Sequence, residues 1–385
     1  MPVSAVGADR AGGVYVHWPF CESKCPYCDF NSHVRDTVDH ARWRAALIAE
    51  LEHFQARMPD LRVGSVFFGG GTPSLMEVET AAAVIAAIRR LWPCGDDCEI
   101  TLEANPSSAE AANFHALAEA GVNRLSLGVQ SFDDRALRFL GRRHDTAEAR
   151  RALEAARKAV DNVSIDLIYA RPEQSLTDWQ AELREALAFG LGHLSLYQLT
   201  IEPNTGFYSA ARRGAFRMPD DSETARFYAA TQDMTVAAGL PAYEISNHAR
   251  PGLESRHNLA YWQGRPYVGV GPGAHGRLLI AGQWWATAQT AKPEGWRAAV
   301  EAAGHGTASL TPLAPRERAE EAVMMGLRLA DGIPSGAVDA LDAVIDAARR
   351  ADLVAEGLLV NDNDRLAATA QGRLLLNEVL ARLLA

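Results

Sequence analysis

Cys21, Cys25 and Cys28 stand together in the run CESKCPYC. Thiolates at this C-x3-C-x2-C spacing are soft ligands suited to iron, and cubane iron–sulfur clusters ordinarily take four of them. Three with no obvious fourth would leave one iron open to another ligand, which marks a reactive site rather than a purely structural one. Zinc and disulfides are the other uses of clustered cysteines. Zinc favours paired C-x2-C units, and the remaining cysteines, Cys94 and Cys98 in CGDDC, lack that spacing. A total of 5, an odd number, does not suggest a secreted disulfide framework.

Further along, Gly69-Gly70-Gly71-Thr72-Pro73-Ser74 follows an apolar run and precedes a helical pattern. Glycines let backbone approach a ligand closely, and a helix N-terminus favours anions. The GK[ST] ending of a phosphate-binding P-loop is missing. A tight strand-to-helix turn would use the same glycines. Glu103, Asn105-Pro106, Gln130 and Asp166 are polar residues at or just past the ends of apolar runs. Singly each reads as a loop cap. In successive strands they read as the rim of one shared site. Arg142, Arg143 and His144 form a short basic cluster, either a solvated face or a small anion site.

The elements that must position these residues alternate. Strands are predicted over 14–17, 65–68, 98–103, 124–127, 163–168 and 193–197. Helical patterns over 38–57, 75–91, 109–120, 146–160 and 176–189 separate them. Strands buried on both faces and joined by helices make a parallel α/β architecture. Six such units predict an open (β/α)6 partial TIM barrel, with a closed eight-unit barrel as the alternative. Either would gather the marked residues at the C-terminal strand ends. Residues 201–296 are rich in proline and are expected to close the barrel mouth with loops and a few strands. Trp284-Trp285 is expected to belong to a strand there, with an exposed apolar patch as the alternative. The expected division is 1–300 for the core barrel with its closing segment and 301–385 for a small C-terminal helical, winged-helix-like domain. That domain should hold helices at 316–329, 335–341 and 344–352, strands starting at Gly357 and Arg365, and a terminal helix over 371–384.

Hydrophobic residues make up 48 %, enough for a sizeable core, and the net charge of −10 argues against a protein that coats nucleic acid. No apolar run reaches the roughly 18 residues of a membrane span, and no apolar leader precedes Val14. A cytoplasmic location, with no stable membrane insertion, is the expectation. A homodimer is left open.

Seven motifs together carry a resemblance over nearly the whole chain: GVYVHWPFC, CPYCDFNSH, FFGGGTPS, GVQSFDD, SIDLIYARPEQ, SLYQLTIEPNT and HNLAYWQGRPYVGVGPGAHG. The chain resembles the coproporphyrinogen oxidase-like branch of the radical S-adenosylmethionine (SAM) proteins, and within it the haem chaperones. The resemblance implies that Cys21, Cys25 and Cys28 ligate a [4Fe–4S] cluster. Tyr15 and Tyr27 would line the SAM site. Gly70, Gly71 and Thr72 would hold the methionine end, and Glu103, Gln130, Arg142 and Asp166 would complete SAM binding. His257, in His257-Asn258-Leu259-Ala260-Tyr261-Trp262, matches an HNxxYW haem motif, and imidazole is a common axial ligand for haem iron. Packing among aromatics is the other use of such a histidine. His275 is a second candidate, although its glycine neighbours read as a tight loop near the cofactor. Partners would be haem and haem-recipient proteins.

Two departures separate the chain from the true oxygen-independent coproporphyrinogen III oxidases. Those enzymes carry a further cysteine two residues after the third, where this chain has Phe30, and a long N-terminal arm, where only twenty residues precede Cys21. Both favour a haem ligand over radical decarboxylation of porphyrinogen propionates.

Overall fold

A computed structural model describes residues 11–338, 341–342, 344–362 and 364–384. Eleven strands form one open sheet. In chain order they are β1 (Gly12–Trp18), β2 (Val63–Gly70), β3 (Cys94–Ala104), β4 (Arg124–Gln130), β5 (Asn162–Tyr169), β6 (His193–Gln198), β7 (Asn247–Ala249), β8 (Tyr267–Val270), β9 (His275–Ile280), β10 (Gln283–Gln289) and β11 (Thr307–Pro312). Their spatial order is β11-β10-β9-β8-β1-β2-β3-β4-β5-β6-β7. The run β1 to β6 is parallel throughout, the six-unit arrangement that the alternating pattern predicts. The sheet does not close. Strand β7 caps one edge antiparallel to β6, and β8, parallel to β1, leads into an antiparallel β9–β10–β11 extension at the other.

Burial explains the order of layers. Val14, Val16, Val66, Phe68, Ile100, Leu102, Leu125, Leu127, Ile165 and Leu167 are buried in one core cluster with apolar faces of the crossover helices. α1 (His40–Arg57) buries Leu47, Leu51 and Phe54, and α2 (Thr146–Ala159) starts at a reciprocal capping box of Asp145 and Glu148.

The predicted helix over 109–120 breaks into Ser108–Ala111 and Phe114–Glu119. The closing segment is more helical than its prolines suggest. It holds Gly206–Arg212, Asp221–Ala237 and Arg256–Trp262. The 221–237 helix hides its core stripe in threonines. Phe227, Thr231 and Thr235 are its buried residues, and each threonine hydroxyl bonds a carbonyl four residues back, Phe227 O at 2.8 Å and Thr231 O at 2.9 Å. Trp284 is buried in β10 with the Arg318 guanidinium 4.3 Å from its ring centre.

At the C-terminus a second core cluster unites Val323, Leu341, Leu353, Leu366, Val379 and Leu383. Around it lie helices Pro315–Gly326, Ala347–Ala355 and Leu376–Leu384 and a three-stranded sheet. The strands Leu359–Asn361 and Arg365–Ala368 form the two-stranded wing read from the sequence, and Ile333–Pro334 adds a third. Residues 339 and 340 of the predicted 335–341 helix lie outside the described residues. Among the described residues no helix is long and apolar enough to cross a membrane.

Candidate functional site

A cavity of about 1130 Å³ opens at the C-terminal ends of β1–β6. All three cysteines of the CESKCPYC loop line it, with Tyr27, Gly70, Gly71, Thr72, Glu103, Gln130, Arg142 and Asp166. Two residues named with them do not. Tyr15 lies behind the wall: its hydroxyl pairs with His17 Nδ1 at 2.9 Å, and its ring reaches the space beside Gly69.

His257 is 1 % exposed in the Arg256–Trp262 helix. Its Nδ1 pairs with Ser65 Oγ at 3.0 Å and its Nε2 with Tyr261 Oη at 2.8 Å, and Phe67 and Tyr15 stack on its ring. Burial, aided by the Arg124 charge, pushes it down to about 3, so the imidazole is neutral. His275 is exposed at the start of β9.

The cysteine loop is held by fixed partners. Phe207 N donates to Pro26 O at 2.8 Å, and Gly141, at φ 67°, leaves room that a Cβ would take from Pro26. Asn31 Nδ2 donates to Pro272 O and Ala291 O at 2.9 and 2.8 Å, tying the loop to the GPG turn. The glycine-rich turn after β2 serves the chain itself. Gly71 N donates to Trp18 O at 2.7 Å and Thr72 N to Phe20 O at 2.8 Å, and a Cβ on Gly71 would lie 2.7 Å from Phe20 O. The glycines therefore admit the cysteine loop as well as any ligand.

A polar relay joins the turn to the cysteines. Arg142 Nη2 donates to Asn105 Oδ1 at 2.5 Å and Gly128 O at 2.8 Å, while Nη1 reaches Cys25 Sγ at 3.6 Å. Asn105 Nδ2 donates to Thr72 Oγ1 at 3.1 Å, and Thr72 Oγ1 donates to Cys21 Sγ at 3.4 Å. Arg142 Nε, although buried, has no hydrogen-bond partner among the described residues. Burial pushes the Cys21 and Cys28 thiols up, and the neighbouring thiols add to it; Thr72 and Ser32 pull the other way.

Deeper in, Glu103 is held at about 8 by burial and by the nearby Asp166, and among the described residues its one hydrogen bond comes from Gly70 N at 3.2 Å. Burial raises Asp166 too, against hydrogen bonds from Ser195 and Ser126. Two half-buried carboxyls side by side favour a cation or donors from a ligand.

Asn105 was legible only as one polar residue at a strand end; its bridging place between Arg142 and Thr72 was not. Glu110 also escaped. Its carboxylate accepts from Ser74 Oγ and from Asn105 N, the latter at 2.7 Å, and fixes the loop after β3. At the outer wall stand Tyr197, Tyr228, Arg373, Leu374 and Leu375. Phe30 is 57 % exposed and Leu374 and Leu375 are each 48 % exposed. The run RLLLNEVL, one leucine too many for an amphipathic stripe, was the available signal.

No three His, Cys, Asp or Glu among the described residues converge as the ligands of one metal ion do. Three thiols facing one cavity instead suit a cluster, each of whose irons takes its own thiolate.

Comparison with known proteins gives the same picture. Residues 15–186 match the radical SAM superfamily and residues 313–375 the HemN C-terminal domain. A mitochondrial radical S-adenosyl methionine domain-containing protein 1 from Bos taurus is 43 % identical over 334 residues, 86 % of this chain and 75 % of its own. The protein named "Heme chaperone HemW" from Escherichia coli (strain K12) is 36 % identical over 378 residues, 97 % of this chain and 98 % of its own. The solved coproporphyrinogen III oxidase HemN of Escherichia coli aligns with a TM-score of 0.81 at 22 % identity, over 99 % of this chain and 91 % of that one, a likeness of fold.

Proposed function

The chain belongs to the HemW-like branch of the radical SAM superfamily, and on that premise we propose that it is a haem chaperone. It holds a [4Fe–4S] cluster and SAM at the inner end of the cavity, binds haem at the outer end, and passes haem to a recipient protein. A cytoplasmic location suits three reduced thiols.

The donor set fits the inner pair of ligands. Cys21, Cys25 and Cys28 would hold the cluster. Arg142, with its unpartnered Nε, would meet the SAM carboxylate, and the Glu103–Asp166 pair would meet cationic and hydroxyl groups. Cluster and SAM together supply one-electron reductive chemistry. The chain's own part is positioning: Thr72 donates to Cys21 Sγ and Arg142 to Cys25 Sγ, which fixes where those sulfurs stand.

The observation that carries the haem reading is the apolar outer wall. Phe30, Leu374 and Leu375 stand exposed around a cavity that also holds Tyr197 and Arg373. Exposed apolar side chains at a pocket mouth suit a flat apolar ligand, and an arginine beside them suits its carboxylates. Ligation of haem iron by His257 would require its ring to give up Ser65 or Tyr261 and leave the core. In the arrangement proposed here His257 supports the floor.

The second reading is an oxygen-independent coproporphyrinogen III dehydrogenase, favoured by the HemN-like fold around one large cavity. Phe30 counts against it.

The test is anaerobic cluster reconstitution followed by haem titration, read in the Soret band, of wild type, Leu374→Ser/Leu375→Ser and His257→Ala. Stoichiometric binding that weakens in the double leucine variant supports the chaperone and its outer-wall site. Weakening in His257→Ala alone moves the iron ligand to His257. Absence of haem binding, with protoporphyrinogen formed from coproporphyrinogen, establishes the second reading. Cys21→Ala should lose the visible cluster absorbance in any case.

A further inference from the structure

The cysteines outside the cluster loop sit at the opposite end of β3 from Asn105. Strand pairing brings them together. Cys94 pairs with Val63 of β2 while Glu99 pairs with Ser65, so five steps along β3 match two along β2. The three extra residues, Gly95, Asp96 and Asp97, form a bulge that folds Cys98 back beside Cys94. The register therefore sets the two thiols side by side, each acting on the other's acidity, and neither is bonded to another cysteine. Cys98 is buried at 2 % exposure. Cys94 is half-buried and lines a second cavity of about 500 Å³ with Arg62 and Arg256, which gives solutes access to it.

We propose that Cys94 and Cys98 form a reversible intrachain disulfide by exchange with a low-molecular-weight disulfide such as oxidised glutathione. Cys94 attacks first. The neighbouring Cys98 thiol, with the Arg89 guanidinium, draws the Cys94 thiol down to about 7, so a good fraction is thiolate near neutrality. The Cys94 thiolate bonds to one sulfur of the small disulfide, whose S–S bond breaks and releases one thiolate. Cys98 gives its proton to that thiolate and attacks Cys94 Sγ. The mixed disulfide breaks and the second small thiolate leaves, to be protonated from solvent. Two protein thiols are oxidised and one small disulfide is reduced to two thiols.

The bulge also grips the helix that carries His257. Asp97 O and Oδ2 accept from Arg256 Nη1 at 2.7 and 2.9 Å, and Glu99 Oε1 accepts from Ser255 Oγ at 3.4 Å and His257 N at 3.3 Å. A bond across the bulge would fasten the seat of that helix.

The experiment uses the full chain with its cluster assembled, held without oxygen in a series of reduced-to-oxidised glutathione ratios. Remaining thiols are alkylated and the tryptic peptide 91–124, which contains Cys94 and Cys98 and no other cysteine, is weighed. The expected result is full conversion to the unalkylated, two-hydrogen-lighter peptide as the ratio becomes oxidising, reversed by dithiothreitol. Cys98→Ser should trap glutathione on Cys94, and Cys94→Ser should leave Cys98 unmodified. Two alkylated cysteines at every ratio, or no glutathione adduct on Cys98→Ser, overturns the proposal.

Discussion

Glu50, fully buried, and Glu103, half-buried at the cavity wall, are built to opposite ends. Glu50, in α1, accepts from Gly271 N at 2.8 Å, Gly306 N at 2.7 Å and Trp296 Nε1 at 2.9 Å. It fastens a helix to the GPG turn and to the segment before β11. Glu103, at the end of β3, accepts one hydrogen bond among the described residues, at 3.2 Å, and faces Asp166 inside the cavity. The chemistry of the side chain is the same. What differs is whether the fold itself supplies the partners. Fully partnered buried polar groups hold structure together, and under-partnered ones in a cavity await a ligand. His257 and Arg142 repeat the contrast, the first with both ring nitrogens engaged and the second with a bare Nε.

Removing the partnered carboxylate should have the largest effect on stability. Glu50→Ala leaves three buried donors unmet and is expected to cost about 3 kcal/mol or more, read as a drop in the denaturant midpoint, while the cavity residues keep their places. A stability change under about 1 kcal/mol would break the comparison.

Glu103→Gln should instead weaken SAM binding at least tenfold, about 1.4 kcal/mol, measured by calorimetry on the cluster-loaded chain. Unchanged affinity would remove Glu103 from the site. The same variant sharpens the comparison through pH. Glu103 is raised from the usual 4.5 to about 8. Between those values the folded chain holds a proton that the unfolded chain has lost, so stability falls as pH climbs through that window and the loss is complete above 8. Glu103→Gln should flatten that part of the slope in the ligand-free chain and raise its melting temperature at alkaline pH. Glu50, raised to about 7, contributes a slope of the same sign that the variant leaves in place.

Ser65→Ala removes one of the two His257 partners. It should cost about 1 kcal/mol in thermal unfolding and leave haem titration unchanged if the ring is a support. Tighter haem binding in Ser65→Ala would mark His257 as the iron ligand.

Much of this was legible in the residues. The six-unit alternation of buried strands and amphipathic helices needs only local periodicity, and it returns as the parallel run β1 to β6. The cysteine spacing and the polar residues at strand ends follow from the same rule, since a parallel α/β sheet collects its C-terminal ends on one side. The 221–237 helix was not legible, because threonines that bond their own backbone do not look apolar. The eleven-strand extent of the sheet was not either, because edge pairing depends on distant segments.

By itself the sequence determined which atoms could do chemistry: three thiols, an arginine, and acids at strand ends. The tertiary structure decided which of them are spent. Arg142 and Cys25 stand 117 residues apart in the chain, and Glu50 and Gly306 stand 256 apart. A hydrogen bond is short and directional, so whether a buried group is satisfied rests on neighbours that only the folded chain brings within about 3 Å. His257 and Glu50 were completed from within. Glu103 and Arg142 were left with capacity for a ligand.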